Sequence, residues 1–225
     1  MDISVFFTWD NFIILLKGAG MSLGIASISV VCGILLGTLI ALCKLSKVKA
    51  LRVIGNVYVE LIRGTPMLLQ ILFFFLGIPS LYYLITGSSL RMNIYLCGII
   101  ALSINSGAYM AELIRSSIQA IDKGQSEAGY TLGLSQKQIM HFIILPQALR
   151  RIIPPFVSEF ITLIKDSSLL GTIGVIELLQ SARNIGNAYY NFLIPLLMAT
   201  VLYLCMTVSV SRIANHLEKR LLIHD

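Results

Sequence analysis

The groups best placed to do chemistry are the few polar ones set inside long apolar runs. Glu159 lies within the run 145–170, Asn105 near the middle of 93–111, and Gly64-Thr65-Pro66 interrupts 57–76. An ionised carboxylate at membrane depth is costly unless it faces a partner or water, so such a residue marks a functional site by default. Glu159 offers a negative charge to an ammonium or another cation. A structural pair with a lysine, or a protonated and hydrogen-bonded carboxyl, stands beside that reading. Asn105 supplies an amide, and Thr162, one helical turn from Glu159, shares its face. An interrupted helix aims freed backbone N–H groups at an anion, which makes Gly64 and Thr65 companions of the same binding set.

Other chemistry is excluded by what is missing. No Gly-x-x-x-x-Gly-Lys-Ser/Thr phosphate loop occurs, so ATP hydrolysis does not belong to this chain. No His-Glu-x-x-His, Ser-x-x-Lys or nucleophile elbow appears either, which argues against a membrane hydrolase. His141, His216 and His224 are isolated and lack metal-ligand spacing. Cys32, Cys43, Cys97 and Cys205 lie in or at the ends of apolar segments without a Cys-x-x-Cys pair, and read as small packing residues. Lys165-Asp166 reads as an interfacial pair or cap, with a gate as the functional alternative.

The elements that must position these groups are membrane helices. Of 225 residues, 56% are hydrophobic and 12% charged, half the charge of a soluble domain. Apolar runs of spanning length recur at 13–43, 57–76, 93–111, 145–170 and 192–213. These predict five crossings in one domain covering 1–225. Asp2 and Asp10 stand where a signal peptide would be basic, so the first run is expected to stay as a span. Gly20-x-x-x-Gly24 and Gly33-x-x-x-Gly37 in it are spacings at which another helix can approach closely. The net charge of +6 forms no single stripe for nucleic acid. Lys44, Lys47, Lys49 and Arg52 follow the first run, Arg115, Lys123, Lys137, Arg150 and Arg151 surround the region 112–140, and Arg212, Lys219 and Arg220 follow the last. The positive-inside rule sets all three clusters in the cytoplasm, with the N-terminus outside and the C-terminus inside. Gly77, Pro79, Gly87, Ser88 and Ser89 read as an outer loop, and 169–190 as an outer amphipathic segment carrying Glu177 and Arg183.

One polar cytoplasmic segment, about 120–146, is unlike a plain loop. It holds Glu127-Ala128-Gly129, then Gly133 after three residues, then Ile143, Leu145 and Pro146 after nine more. A helix around 126–135 with Glu127 near its N-terminal end suits the helix dipole. Ala128, Gly129 and Gly133 would keep a surface shallow for a partner, and Pro146 would end the stretch and turn the chain into the membrane. The reading 154–155 as a break in the next span rests on its two prolines. Near the inner boundary of the second run, Glu60 and Arg63 fall on one helical face.

The 127–146 spacing resembles the cytoplasmic coupling loop of bacterial ATP-binding-cassette importer permeases, with Gly129 where that pattern usually has Ala. Glu60-x-x-Arg63-Gly64-Thr65-Pro66 followed by Leu68-Leu69-Gln70 is similar to the second-helix signature of the polar amino acid uptake branch (histidine, arginine, glutamine and cystine permeases). Gly107-Ala108-Tyr109-x-Ala111-Glu112-x-x-Arg115 and Phe160-Ile161-x-x-Ile164-Lys165-Asp166-Ser167-Ser168-Leu169 continue the match. The resemblance covers about 12–217.

It implies an all-α, type I importer permease of five spanning helices in the cytoplasmic membrane, a transport subunit rather than an enzyme. It also implies docking of an ATPase subunit through Glu127, Ala128, Gly129, Gly133, Leu145 and Pro146, with ATP and magnesium bound by that partner and no cofactor here. Further partners would be a second permease chain, identical or paralogous, and an extracytoplasmic amino acid-binding protein. The substrate would be held among Glu159, Asn105, Thr65, Gly64 and Thr162. An ion-gradient-driven secondary transporter or channel, with Glu159 as proton carrier, is the rival; it leaves the 127–146 segment without a purpose.

Overall fold

The computed structural model describes residues 3–222, and these are almost wholly helical. A first helix, α1 (Trp9–Leu45), runs 37 residues with Thr8 capping its start. It packs along α5 (Ile94–Gln119), and the contact is made close by Gly33 and Gly37: a Cβ on Gly33 would lie 2.6 Å from Ser106 Oγ, and one on Gly37 2.5 Å from Met110 Cβ. The Gly20 and Gly24 pair, expected to serve the same purpose, faces open space instead.

Between these two helices the chain differs from expectation. The second apolar helix does not run 57–76 but 67–86. It is preceded by a separate amphipathic helix, α2 (Lys49–Arg63), and the two are parted at Gly64-Thr65-Pro66. The apolar rod joins α3 (Met67–Leu72) to α4 (Ile78–Thr86) through a π-helical turn at Phe73–Gly77, so Gly77 and Pro79 belong to helix and not to a loop. The outer turn begins at Gly87, left-handed at φ 70°.

A second π turn follows the same rule. The short helix α6 (Lys123–Thr131) is followed by α7 (Gln136–Ile139), a π turn at Met140–Ile144, and α8 (Leu145–Asp166). Each π turn ends two residues before a proline, Pro79 or Pro146. Proline lacks an N–H and its ring clashes with the carbonyl four residues back; widening the preceding turn relieves both problems. Pro146 therefore does not redirect the chain, and 136–166 is one continuous rod. Nor do Pro154 and Pro155 break it: both stand inside α8.

Among the described residues, four helices are long and apolar enough to cross a membrane: Trp9–Leu45, Met67–Thr86, Ile94–Gln119 and Leu193–His216. α8, taken from the sequence as a further crossing, falls outside that set because it carries Arg150, Arg151, Glu159, Lys165 and Asp166. A 3-10 stretch, Ser167–Ile173, leads to α9 (Leu178–Tyr189), and α10 (Leu193–Leu222) closes the chain. The main core gathers Ile25, Ala26, Ile71, Leu102, Leu163, Ile164 and Leu170 from α1, α3, α5, α8 and the 3-10 stretch.

Candidate functional site

A cleft of about 510 Å³ lies between the end of α2, the C-terminal half of α5 and the middle of α8. Glu159, Ser158, Thr162, Pro154 and Pro155 line it from α8, Tyr109 and Glu112 from α5, and Arg63 from α2. The tandem prolines remove the helical donors to the Arg150 and Arg151 carbonyls, and the cleft opens beside that weakened turn. Glu159 and Thr162 share it, as their spacing requires.

The two carboxylates of the cleft differ. Glu112 is fully engaged: Lys44 Nζ donates to Oε2 at 2.8 Å, and Arg115 grips both oxygens through Nε (3.1 and 3.2 Å) and Nη2. Both contacts are ion pairs, and the first ties α1 to α5. Glu159 has no cation beside it, and the buried Ser106 hydroxyl approaches it without completing a hydrogen bond. Arg63 is the matching cation. It forms no pair with Glu60; its guanidinium lies over the Tyr109 ring, 5.1 Å from the centroid. That stack keeps the charge oriented while leaving its N–H donors to a ligand. Arg63 was legible in the sequence only as a neighbour of Glu60, because its contact with Tyr109 is tertiary.

Asn105, Thr65 and Gly64 are not brought to the cleft. Asn105 Nδ2 donates to Gln70 Oε1 at 2.9 Å, buried away from it. Gln70 Nε2 in turn donates to Ile62 O at 2.7 Å, Thr65 O at 3.1 Å and Thr65 Oγ1 at 2.9 Å. Ile62 O is the carbonyl that Pro66 would have satisfied had it an N–H. At the interruption Gln70 thus matches the carbonyls that Pro66 leaves without a donor, and Asn105 holds Gln70 in place; no side chain caps the N–H groups that open α3. Lys165 and Asp166 form no ion pair. His224 lies outside the described residues; among those described no group of histidine, cysteine and acidic residues is placed to hold a metal.

At one end of the bundle the segment 120–146 is tightly built. Asp122 caps α6 through Gly124 N at 2.7 Å. Leu134 N donates to Gly129 O at 3.0 Å and Gly133 N to Tyr130 O at 2.9 Å, a Schellman ending that places Gly133 in the left-handed region at φ 77°. Ser135 and Gln138 then make a capping box for α7. α6 therefore begins and ends earlier than 126–135, so that Glu127 sits at its middle and Gly133 is a turn residue beyond it. Gly129 faces inward: a Cβ there would meet Ile139 Cγ1 at 2.8 Å. The outward surface carries Glu127, Ala128 and the exposed apolar side chains Tyr130 and Leu132 (53% and 79%). Leu145 and Pro146 start α8 behind it.

Residues 33–223 match the family of binding-protein-dependent transport system inner membrane components. The chain is 34% identical over 216 residues to a Rickettsia felis protein named as a glutamine transport system permease, covering 96% of each. It is 35% identical to the Bacillus subtilis arginine transport system permease protein ArtQ, covering 94% of each. A solved amino acid ABC transporter with histidines superposes with a TM-score of 0.89 at 33% identity, over 98% of this chain and 99% of that one. Nothing in these likenesses favours an ion-gradient-driven transporter. The chain belongs to the binding-protein-dependent inner membrane components, the multi-pass permease subunits of ABC importers whose ATPase is a separate subunit.

Proposed function

We propose that this permease passes a polar amino acid through the α2–α5–α8 cleft, with Arg63 receiving the α-carboxylate and Glu159 the ammonium or a cationic side chain. The observation that carries this is one unpaired charge of each sign lining the same cleft, while its third charge, Glu112, is already neutralised. A zwitterion is the ligand complementary to that pattern; a guanidinium receives a carboxylate through two parallel hydrogen bonds. Ser158 and Thr162 offer hydroxyls to the remainder. The relatives named for glutamine and arginine transport support the substrate class.

The cycle follows from the partners the family implies. A substrate-binding protein delivers the amino acid at the end opposite α6, and a second permease chain, identical or paralogous, closes the open side of the cleft. Five crossings with the N-terminus outside would leave α6 in the cytoplasm. An ATPase seats on Tyr130, Leu132 and Glu127; ATP binding draws two such helices together and favours the outward-open state, and hydrolysis returns the inward-open one. Direction comes from differing affinity of the two states for their ligands.

Uptake by the reconstituted importer tests the cleft. Glu159→Gln and Arg63→Gln should each lower uptake at subsaturating substrate by about tenfold to a hundredfold, the worth of a charge-assisted hydrogen bond. An esterified amino acid should lose its disadvantage in the Arg63 variant alone. If both variants transport like the parent, the substrate passes elsewhere.

A further inference from the structure

Helix α2 is divided lengthwise into three sectors. Gly55 and Val59 are buried against the protein. Lys49, Arg52, Asn56, Glu60 and Arg63 recur every three or four residues as a polar stripe. Leu51, Ile54, Val57 and Leu61 point away from the protein, 40–62% exposed. At 15 residues the helix is too short to span, and a water-facing stripe along its whole length has no place in a crossing helix. One apolar face and one cationic flank describe a helix lying in the plane of the membrane surface.

The charge pattern says what kind of surface. Lys47, Lys49 and Arg52 occur with no acidic residue between them and Glu60. Lys47 also lines a cleft of about 370 Å³ with Lys137, His141, Met140 and Leu145, and no carboxylate lines it. Two ammonium groups over an apolar floor suit a phosphate headgroup whose chains continue along methionine and leucine. Because Lys137 follows α6, this cleft is on the coupling side.

We infer that α2 and the Lys47–Lys137 cleft bind anionic phospholipid of the leaflet facing the ATPase, and that α2 carries this contact to the transport cleft. The route is short. The Tyr58 hydroxyl donates to Ile104 O at 2.6 Å, fixing α2 on α5, and α2 ends at Arg63 against Tyr109. A lipid that pins the start of α2 thereby steadies the cation at its end. The apolar face of α2 adjoining its basic turns favours a bilayer lipid over a soluble anion.

The test uses the purified complex in vesicles of phosphatidylcholine with and without phosphatidylglycerol. Native mass spectrometry counts retained lipid, and uptake gives KM and turnover. The parent should retain phosphatidylglycerol selectively and show a lower KM in its presence. Lys49→Gln with Arg52→Gln should weaken retention by roughly thirtyfold, two surface cations' worth, and flatten the KM response; Lys49→Arg with Arg52→Lys should restore both. Equal retention by the neutral variant, loss in the charge-preserving one, competition by inorganic phosphate at millimolar levels, or lipid release when the ATPase binds would each overturn the inference. Retention is read without substrate, so a failed transport cleft does not decide it.

Discussion

Glu159 and Glu177 are both carboxylates in apolar surroundings, yet the fold treats them in opposite ways. Glu177 has no exposed surface and every oxygen is engaged: Oε2 accepts from Leu179 N at 2.8 Å and from the Tyr203 hydroxyl at 3.0 Å, and Oε1 from Gln180 N at 2.7 Å. It is the N-cap of α9, joined to α1 where Ser22 Oγ accepts from Leu178 N and to α10 through Tyr203. Burial pushes its carboxyl above the usual range, and the donors oppose that shift. Glu159 is only half-buried and has neither cation nor backbone donor. Depth alone therefore does not identify a functional acid. The supply of partners separates the two: a carboxylate whose partners are all built in holds the fold, and one left with room for a partner can take a ligand.

The largest effect should come from breaking the satisfied member. Glu177→Ala orphans two backbone N–H groups and a tyrosine hydroxyl in a dry site and is expected to cost about 3 kcal/mol or more. Thermal unfolding of the purified complex should show it as a marked drop, with amino acid selectivity kept in whatever protein survives. Glu159→Gln should do the reverse, leaving the unfolding temperature alone while uptake falls. A stable Glu177→Ala protein, or an unstable Glu159→Gln one, would dissolve the contrast.

Gln70 sharpens the same contrast at intermediate size. Its amide stands in for the N–H that Pro66 lacks and is held by Asn105. Gln70→Ala leaves the Ile62 carbonyl with the long Thr65 hydroxyl contact at 3.4 Å in place of a strong donor, and should destabilise by about 1–3 kcal/mol. Asn105→Ala should cost less, and the double variant little more than Gln70→Ala, because the two act as one unit. Strict additivity in unfolding measurements would show that they act separately.

What the sequence disclosed follows the same physical division. Hydropathy and basic clusters located the long apolar helices and the segment 120–146, since each depends on composition over many residues. The Glu159–Thr162 face was readable from helical spacing alone. The register of the second apolar helix was not, because Leu61 and Val57 are as hydrophobic on an amphipathic α2 as on a spanning helix. The prolines misled for a related reason: whether Pro146 or Pro79 breaks a helix depends on the width of the preceding turn, which no residue type announces. Nor was the stacking of Arg63 on Tyr109 or the pairing of Asn105 with Gln70 readable, since each partner comes from a different helix.

The smallest effect concerns the α6 end, where Gly133 separates two explanations of one glycine. Bulk at a docking groove predicts that any added side chain impairs coupling in proportion to its size. The structure gives another reason: φ is 77°, and a Cβ at Gly133 would meet nothing within 4 Å. The cost of Gly133→Ala is then backbone strain, about 1 kcal/mol, felt as fraying of the α6 ending that seats Leu134 on Ile121, Ile139 and Ile144. Asparagine tolerates the left-handed region better than alanine despite its greater size. ATP-driven uptake should therefore fall a few-fold in Gly133→Ala and recover most of that loss in Gly133→Asn. A ranking with Asn below Ala would mean that the glycine is there to leave space for the ATPase, and that α6 presses on its partner with the turn as well as with Tyr130 and Leu132.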